Sequence, residues 1–206
     1  MEGYRTVKQK AVCEFTEKRS RFLGTVCPVK TEDEAMCFIS AQRKEFWNAT
    51  HNVYAYILRE GQIRRFSDDG EPQGTAGLPV LNVLIREELT DCAVVITRYF
   101  GGVLLGTGGL VRAYAHSAKL AVDHGGIIHM QMCVRGVINC DYNMYGRISS
   151  LIPETGGRIC DTVFSECVEV EFIIPNKLIN TLSEKLTEIS SGGIKIKEIG
   201  HEYTQF

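Results

Sequence analysis

Residues 91–116 read DCAVVITRYFGGVLLGTGGLVRAYAH and combine an apolar run, a glycine-rich segment and a helical pattern. The run that starts at Cys92 is short and continuous, which indicates a strand buried on both faces of a sheet. After the glycines, one helix face is formed by Leu110, Ala113, Tyr114, Ser117 and Ala121. The stretch therefore predicts a central strand that continues through a glycine loop into a helix.

The glycine loop has two interpretations that the residues alone leave open. Ordering glycine costs conformational entropy, so a folded chain keeps it where the backbone turns sharply or where a ligand approaches closely. The N-terminus of the following helix offers unpaired N–H groups that can hold an anion. Arg98 and Arg112 flank the loop, and Gly106, Gly108 and Gly109 lie at its end. Neither a Walker A loop nor a complete GxGxxG pattern is present, because Val111 occupies the last required position.

A second group of polar residues lies upstream, in SDDGEPQGTAG at residues 67–77. Its acids, Asp68, Asp69 and Glu71, could hold Mg²⁺, orient a basic group, or cap the helix predicted after Thr75. We expect the three acids to converge with Arg98, Arg112 and the Gly106–Gly109 backbone into one polar site that binds a ligand or an anion. The sequence assigns no catalytic residue and no set of metal ligands.

The rest of the chain divides near residue 136. Strands are predicted over 4–15 and 20–29, around a polar turn at 16–19, and a helix begins after Thr31 with Trp47 as a packing residue at its end. The last seventy residues follow the order β-α-β-β-α-β, the pattern of a ferredoxin-like sandwich. The expected fold is α/β (α+β), with one domain over 1–136 and a ferredoxin-like domain over 137–206.

Composition and charge exclude several classes of protein. The chain has 206 residues, of which 44% are hydrophobic and 23% charged, and its start has no apolar core typical of a signal peptide. Its eight cysteines include no CxxC pair, which favours free thiols in a reducing cytoplasm over a disulfide scaffold. Residues 1–136 carry 17 basic and 15 acidic side chains, and residues 137–206 carry 6 and 10. A nucleic-acid contact is therefore expected to be local and confined to the first part.

The acidic segment and the glycine loop together resemble a known family. SDDGEPQGTAGLPVLNVL followed by VVITRYFGGVLLGTGGLVRAYAHSA is similar to the signature of the YigZ/IMPACT family, and KRSRFLG and HNVYAY match its flanking pieces. The resemblance covers residues 4–125 and implies a ribosomal protein S5 domain 2-like fold there. The C-terminal part resembles the ferredoxin-like domain of bacterial members, which is similar to the last domain of elongation factor G. The resemblance implies no settled reaction.

The residues and the resemblance leave three functions open. The first is a cytoplasmic, translation-linked regulator that binds RNA, the ribosome or a translation factor through the motif face of the first domain. The second is an enzyme acting on a phosphorylated small molecule, with Mg²⁺ held by the acids. The third is a protein-binding regulator without chemistry. No organic cofactor and no membrane partner is expected.

Overall fold

The computed structural model describes residues 3–206. They form two compact units, one of Tyr4–His129 and the other of Met130–Phe206 with Gly3. The boundary expected at residue 136 falls within a long strand, Ile127–Cys140. No helix in the described part of the chain has both the length and the apolar character needed to cross a membrane.

The first unit is built on an antiparallel sheet whose central strand is the apolar run of the opening stretch. Its strands are β2 (Ala11–Glu17), β3 (Ser20–Pro28), β4 (His51–Ile57), β5 (Arg64–Ser67) and β6 (Cys92–Tyr99), and a strand that precedes them, β1 (Gly3–Val7), is not part of this sheet. The sheet has the order β2-β3-β6-β4-β5, so β6 pairs with β3 on one side and β4 on the other. The single strand expected over 4–15 is wrong, because the polar segment at residues 8–10 separates β1 from β2.

Three helices cover this sheet. They are α1 (Glu32–Glu45), α2 (Gly77–Arg86) and α3 (Thr107–Gly125). Side chains of α2 and α3 pack with one sheet face around Phe22, Ile96 and Tyr114, while α1 packs on the other through Phe38 and Ile39. Trp47 follows α1 and is 81% exposed, so the packing role expected for it is wrong. Because β6 ends beside the start of α3, the fold brings the glycine loop to one end of the sheet.

The second unit is ferredoxin-like, as the alternation of elements predicted. Its elements are β7 (Ile127–Cys140), α4 (Tyr142–Glu154), β8 (Arg158–Phe164), β9 (Val168–Pro175), α5 (Ile179–Ser190) and β10 (Ile196–Gln205). The strands lie in the order β10-β7-β9-β8, and each neighbouring pair is antiparallel. Ile148 and Ile152 of α4 and Leu182 of α5 are buried against Phe172 of β9.

Candidate anion-binding site

Some glycines of the glycine loop are required by the path of the loop's own backbone. A Cβ on Gly101 would lie 2.0 Å from the carbonyl group of Arg19, in the turn between β2 and β3. Gly102 and Gly106 have φ of 79° and 72°, in the left-handed region that favours glycine. The backbone path therefore requires glycine at these three positions.

Gly108 has no such structural reason. It lies in the first turn of α3, its φ is not in the left-handed region, and a Cβ there would meet nothing within 4 Å. Glycine in a helix costs up to about 1 kcal/mol relative to alanine. No side chain caps the N-terminus of α3. Gly108 thus leaves uncapped backbone amides open to close approach at the start of a long helix.

A cavity of about 470 Å³ lies beside this helix start. Gly106 and Thr107 form one part of its wall, and the turn that follows β5 forms another. The remaining lining residues are Thr50, His51, Gly70, Glu71, Pro72, Arg98, Phe100, Leu104, Leu105 and Leu110. The cavity, called the first cavity below, brings together three of the expected site residues: Glu71, Arg98 and Gly106.

Glu71 lies in this cavity as a buried carboxylate with three polar neighbours. Arg98 Nη1 donates to Glu71 Oε1 at 2.5 Å, and the Tyr114 hydroxyl donates to the same oxygen at 2.7 Å. The Nε2 atom of His51 is 3.8 Å away from it. Burial, and then the hydrogen bond to Glu71, raise the pKa of Tyr114 well above its usual value, so its hydroxyl stays protonated and remains a donor.

Arg98 is held by further contacts. Nη2 donates to the Ser20 hydroxyl at 3.3 Å, and the guanidinium carbon lies 5.4 Å and 5.5 Å from the ring centroids of Phe22 and Phe100. Its Nε is buried and makes no hydrogen bond within residues 3–206. Arg98 therefore retains one donor that the described part of the protein does not use.

Asp68 and Asp69 are engaged in building the turn before α2. Asp68 accepts hydrogen bonds from the amides of Gly74, Ala76 and Gly77 at 2.9, 3.1 and 2.8 Å. Asp69 accepts a hydrogen bond from Arg43 Nη2 at 2.7 Å and another from the backbone amide of Asn52 at 2.6 Å. Neither lines the first cavity. Of the roles considered for these acids, Asp68 therefore has that of a helix cap, since its carboxylate anchors the start of α2.

Arg112 and Gly109 lie on a different cavity, of about 250 Å³. This second cavity is lined by Phe15, Glu17, Lys18, Leu105, Gly109, Arg112, Ala113 and His116. Leu105 belongs to both linings, so the two cavities adjoin at the first turn of α3. The single polar site expected from the sequence is thus divided between two adjoining cavities, and Asp68, Asp69 and Gly108 line neither of them.

Three residues of the site escaped the sequence analysis: Ser20, His51 and Tyr114. Tyr114 had a usable signal, because a tyrosine on the buried face of a helix needs a partner for its hydroxyl. Ser20 and His51 had none, since their roles depend on pairing with β6. No group of three or more His, Cys, Asp or Glu side chains is placed to hold a metal ion anywhere in residues 3–206.

Comparison with known proteins gives two matching family models. Residues 18–122 match the Impact N-terminal domain, and residues 138–192 match a domain of unknown function (DUF1949). The first match contains the whole lining of the first cavity and all of the second lining except Phe15 and Glu17.

Individual relatives cover most of the chain. IMPACT family member YvyE of Bacillus subtilis is 40% identical over 199 residues, 96% of this chain and 92% of that protein. IMPACT family member YigZ of Escherichia coli is 30% identical over 185 residues, 88% of this chain and 91% of that protein. The Protein IMPACT homolog of Dictyostelium discoideum is 35% identical over 113 residues, 52% of this chain and 31% of that protein. A crystal structure of a hypothetical protein, 29% identical, superposes with a TM-score of 0.62 over 98% of this chain and 100% of its own.

Proposed function

Because the chain belongs to the IMPACT family, we propose that it is a translation-linked regulatory protein whose N-terminal unit binds RNA at the first cavity. The link to translation comes from the family resemblance described above. RNA is proposed from the site itself. The observation that carries the proposal is the uncapped start of α3, where Gly106 and Thr107 line the first cavity together with Arg98 and a Cβ at the next residue, Gly108, would meet nothing.

The start of α3 suits a phosphate group. A helix carries a partial positive charge at its N-terminus, and its first amides point outward without intrahelical partners. Gly106 and Thr107 bring this end of α3 to the cavity wall, to which Arg98 also belongs. A phosphate oxygen accepts from both kinds of donor, and charge assistance strengthens the bond from the guanidinium.

The surroundings favour a nucleic acid over an isolated anion. Lys18, Arg19 and Arg112 take part in none of the ion pairs between residues 3–206. Lys18 and Arg112 line the second cavity, and Arg19 packs against the glycine loop through its backbone. Uncompensated basic groups near a phosphate site attract a polyanion and make its binding depend on salt.

Co-sedimentation with ribosomes at graded salt tests the proposal. We expect the protein to pellet with ribosomes at low salt and to dissociate as salt rises, and we expect Arg112→Ala to dissociate at lower salt than the wild type. Arg86→Ala is the matched control, because Arg86 is exposed in the same unit and lines neither cavity. Failure to pellet at any salt, together with no binding to ribosomal RNA free of protein, would overturn the proposal.

A second candidate function is an enzyme acting on a phosphorylated small molecule. It is favoured by the cavity volume, about 470 Å³, which suits a ligand of nucleotide size. His51 also supplies an imidazole at the cavity wall, with its Nε2 atom 3.8 Å from Glu71 Oε1. A thermal-shift screen with nucleotides, with and without Mg²⁺, distinguishes the two functions. A nucleotide that raises the melting temperature at micromolar concentration and is turned over would favour the enzyme.

A further inference from the structure

We infer that the bound RNA is single-stranded and at least two nucleotides long, with a base at the mouth of the first cavity and a neighbouring phosphate in the second. This inference rests on the proposed function, because it specifies the form of RNA that the site accepts. It uses the division of the site into two adjoining cavities of different character.

The first cavity has an apolar mouth. Phe100 is 45% exposed and Leu104 is 82% exposed, and both belong to its lining. The guanidinium of Arg98 lies beneath the Phe100 ring, which fixes the ring from below. An exposed aromatic face with a cation behind it is a platform on which an unpaired base stacks. The bases of a duplex are stacked inside the helix, so they cannot reach such a platform.

The second cavity is basic. Lys18 and Arg112 line it with one carboxylate, that of Glu17, and neither basic side chain has an ion-pair partner in the described part of the chain. His116 also lines it, with its ring at the edge of Phe15 and a centroid distance of 4.9 Å. Its two rings, Phe15 and His116, pack edge to face, and the basic groups of Lys18 and Arg112 give the cavity a chemistry that suits a phosphate group.

The two cavities lie on either side of one turn of α3. Gly106 and Thr107 face the first and Gly109 faces the second, with Leu105 between them. Because Leu105 lines both cavities, they adjoin, and adjacent groups of one RNA strand can occupy both. A mononucleotide seated in the first cavity would leave the second without a ligand.

Competition binding with the full chain tests this inference. A labelled single-stranded octauridylate is followed by fluorescence anisotropy and displaced by uridine 5′-monophosphate, by unlabelled uridylates of two, four and eight nucleotides, and by an eight-base-pair RNA duplex. We expect affinity to rise at least tenfold from the monophosphate to the tetranucleotide, and the duplex to compete at least tenfold more weakly than the octanucleotide.

Two variants assign the two parts of the ligand. Phe100→Ala should weaken octanucleotide binding at least fivefold, because stacking on the ring is lost. Phe66→Ala is its control, since Phe66 is 44% exposed in the same unit and lines neither cavity. Arg112→Ala should lower the slope of log affinity against log salt by about 0.7, the value for one phosphate contact on a single strand. It should leave monophosphate binding unchanged, and Arg86→Ala should change neither.

The outcomes separate this inference from the proposed function. If the monophosphate competes as well as the octanucleotide, or if the duplex binds more tightly than the octanucleotide, RNA binding is retained. The inference that a single strand of RNA occupies both cavities is then wrong. Equal effects of Phe100→Ala and Phe66→Ala would also overturn it. If the octauridylate and ribosomal RNA both fail to bind, the proposed function itself is wrong. Circular dichroism of each variant confirms that it is folded before its affinity is compared.

Discussion

Arg98 and Glu71 form an ion pair that is almost completely buried, with Nη1 2.5 Å from Oε1 and side chains 6% and 4% exposed. It joins the end of β6 to the turn before α2, which are separated by 27 residues in the chain. The pair therefore has two roles, since it fixes the fold of the first unit and forms part of the wall of the first cavity.

Breaking this pair from one side should destabilise the protein strongly. Glu71→Gln keeps the shape of the side chain but leaves the Arg98 guanidinium buried without a countercharge, which costs about 3–5 kcal/mol. Urea unfolding measures this loss. The double variant Glu71→Leu/Arg98→Met removes both charges, so we expect it to lose less than Glu71→Gln does. A loss below about 1 kcal/mol for Glu71→Gln would contradict the structural role of the pair.

Asp68 should stabilise the start of α2 without contacting bound RNA. Asp68→Ala removes the acceptor of three backbone amides, so we expect a loss of about 2 kcal/mol in the free energy of unfolding. Glu60→Ala, at an exposed acid of the same unit, serves as the comparison and should change stability by less than about 0.5 kcal/mol. Equal losses for the two variants would show that the amides find other partners.

The buried thiol of Cys92 should make the free energy of unfolding decrease at alkaline pH. Burial raises the pKa of its thiol to about 12, whereas the thiol of an unfolded chain ionises near pH 8.5. Between these values the unfolded state has released a proton that the folded state retains, so the free energy of unfolding falls as pH rises, by up to about 1.4 kcal/mol per pH unit.

The slope is measured by urea unfolding between pH 8.5 and 10.5. Cys92→Ala lacks this thiol and should show a shallower slope than the wild type, whatever its stability at pH 7. All eight cysteines are free in the structure, and Cys37 is exposed, so Cys37→Ala is the control that should keep the wild-type slope. Identical slopes for wild type and Cys92→Ala would contradict the burial of this thiol.

Gly101 should tolerate no side chain. In Gly101→Ala the new methyl group would lie 2.0 Å from the Arg19 backbone, so the β2–β3 turn or the glycine loop must shift, at a cost of about 2–3 kcal/mol. Thermal unfolding monitored by circular dichroism detects this loss. A wild-type melting temperature would mean that the loop does not pack against the turn as described.

The sequence predicted well those features that depend on local patterns. The buried run of β6, the helix after the glycines and the ferredoxin-like order of the second unit all follow from apolar periodicity, which is read over a few residues. The resemblance to the YigZ/IMPACT family, carried by the motifs of the first unit, is confirmed by the comparisons.

Features that depend on tertiary pairing were predicted less well. Glu71 and Arg98 were expected in one polar site with Asp68, Asp69 and Arg112, but burial of the pair depends on the pairing of β6 with β3 and on Tyr114 of α3. The role of Asp68 depends on the turn that follows it, where Asp69 and Gly70 both have positive φ. Arg112 was expected beside Arg98 because both flank the glycines, but its position in the second turn of α3 places it on the second cavity.

RNA binding at the start of α3 is decided by comparing Gly108→Ala with the wild type in stability and in RNA binding. A Cβ at Gly108 meets no other group of the protein, so alanine should leave the fold intact and raise stability by up to about 1 kcal/mol. If RNA phosphate binds the amides at the start of α3, the added methyl group should weaken octauridylate binding about tenfold in the same variant. Higher stability with weaker binding is the result we predict. Unchanged binding in a folded Gly108→Ala would contradict the claim that RNA binds at this helix start.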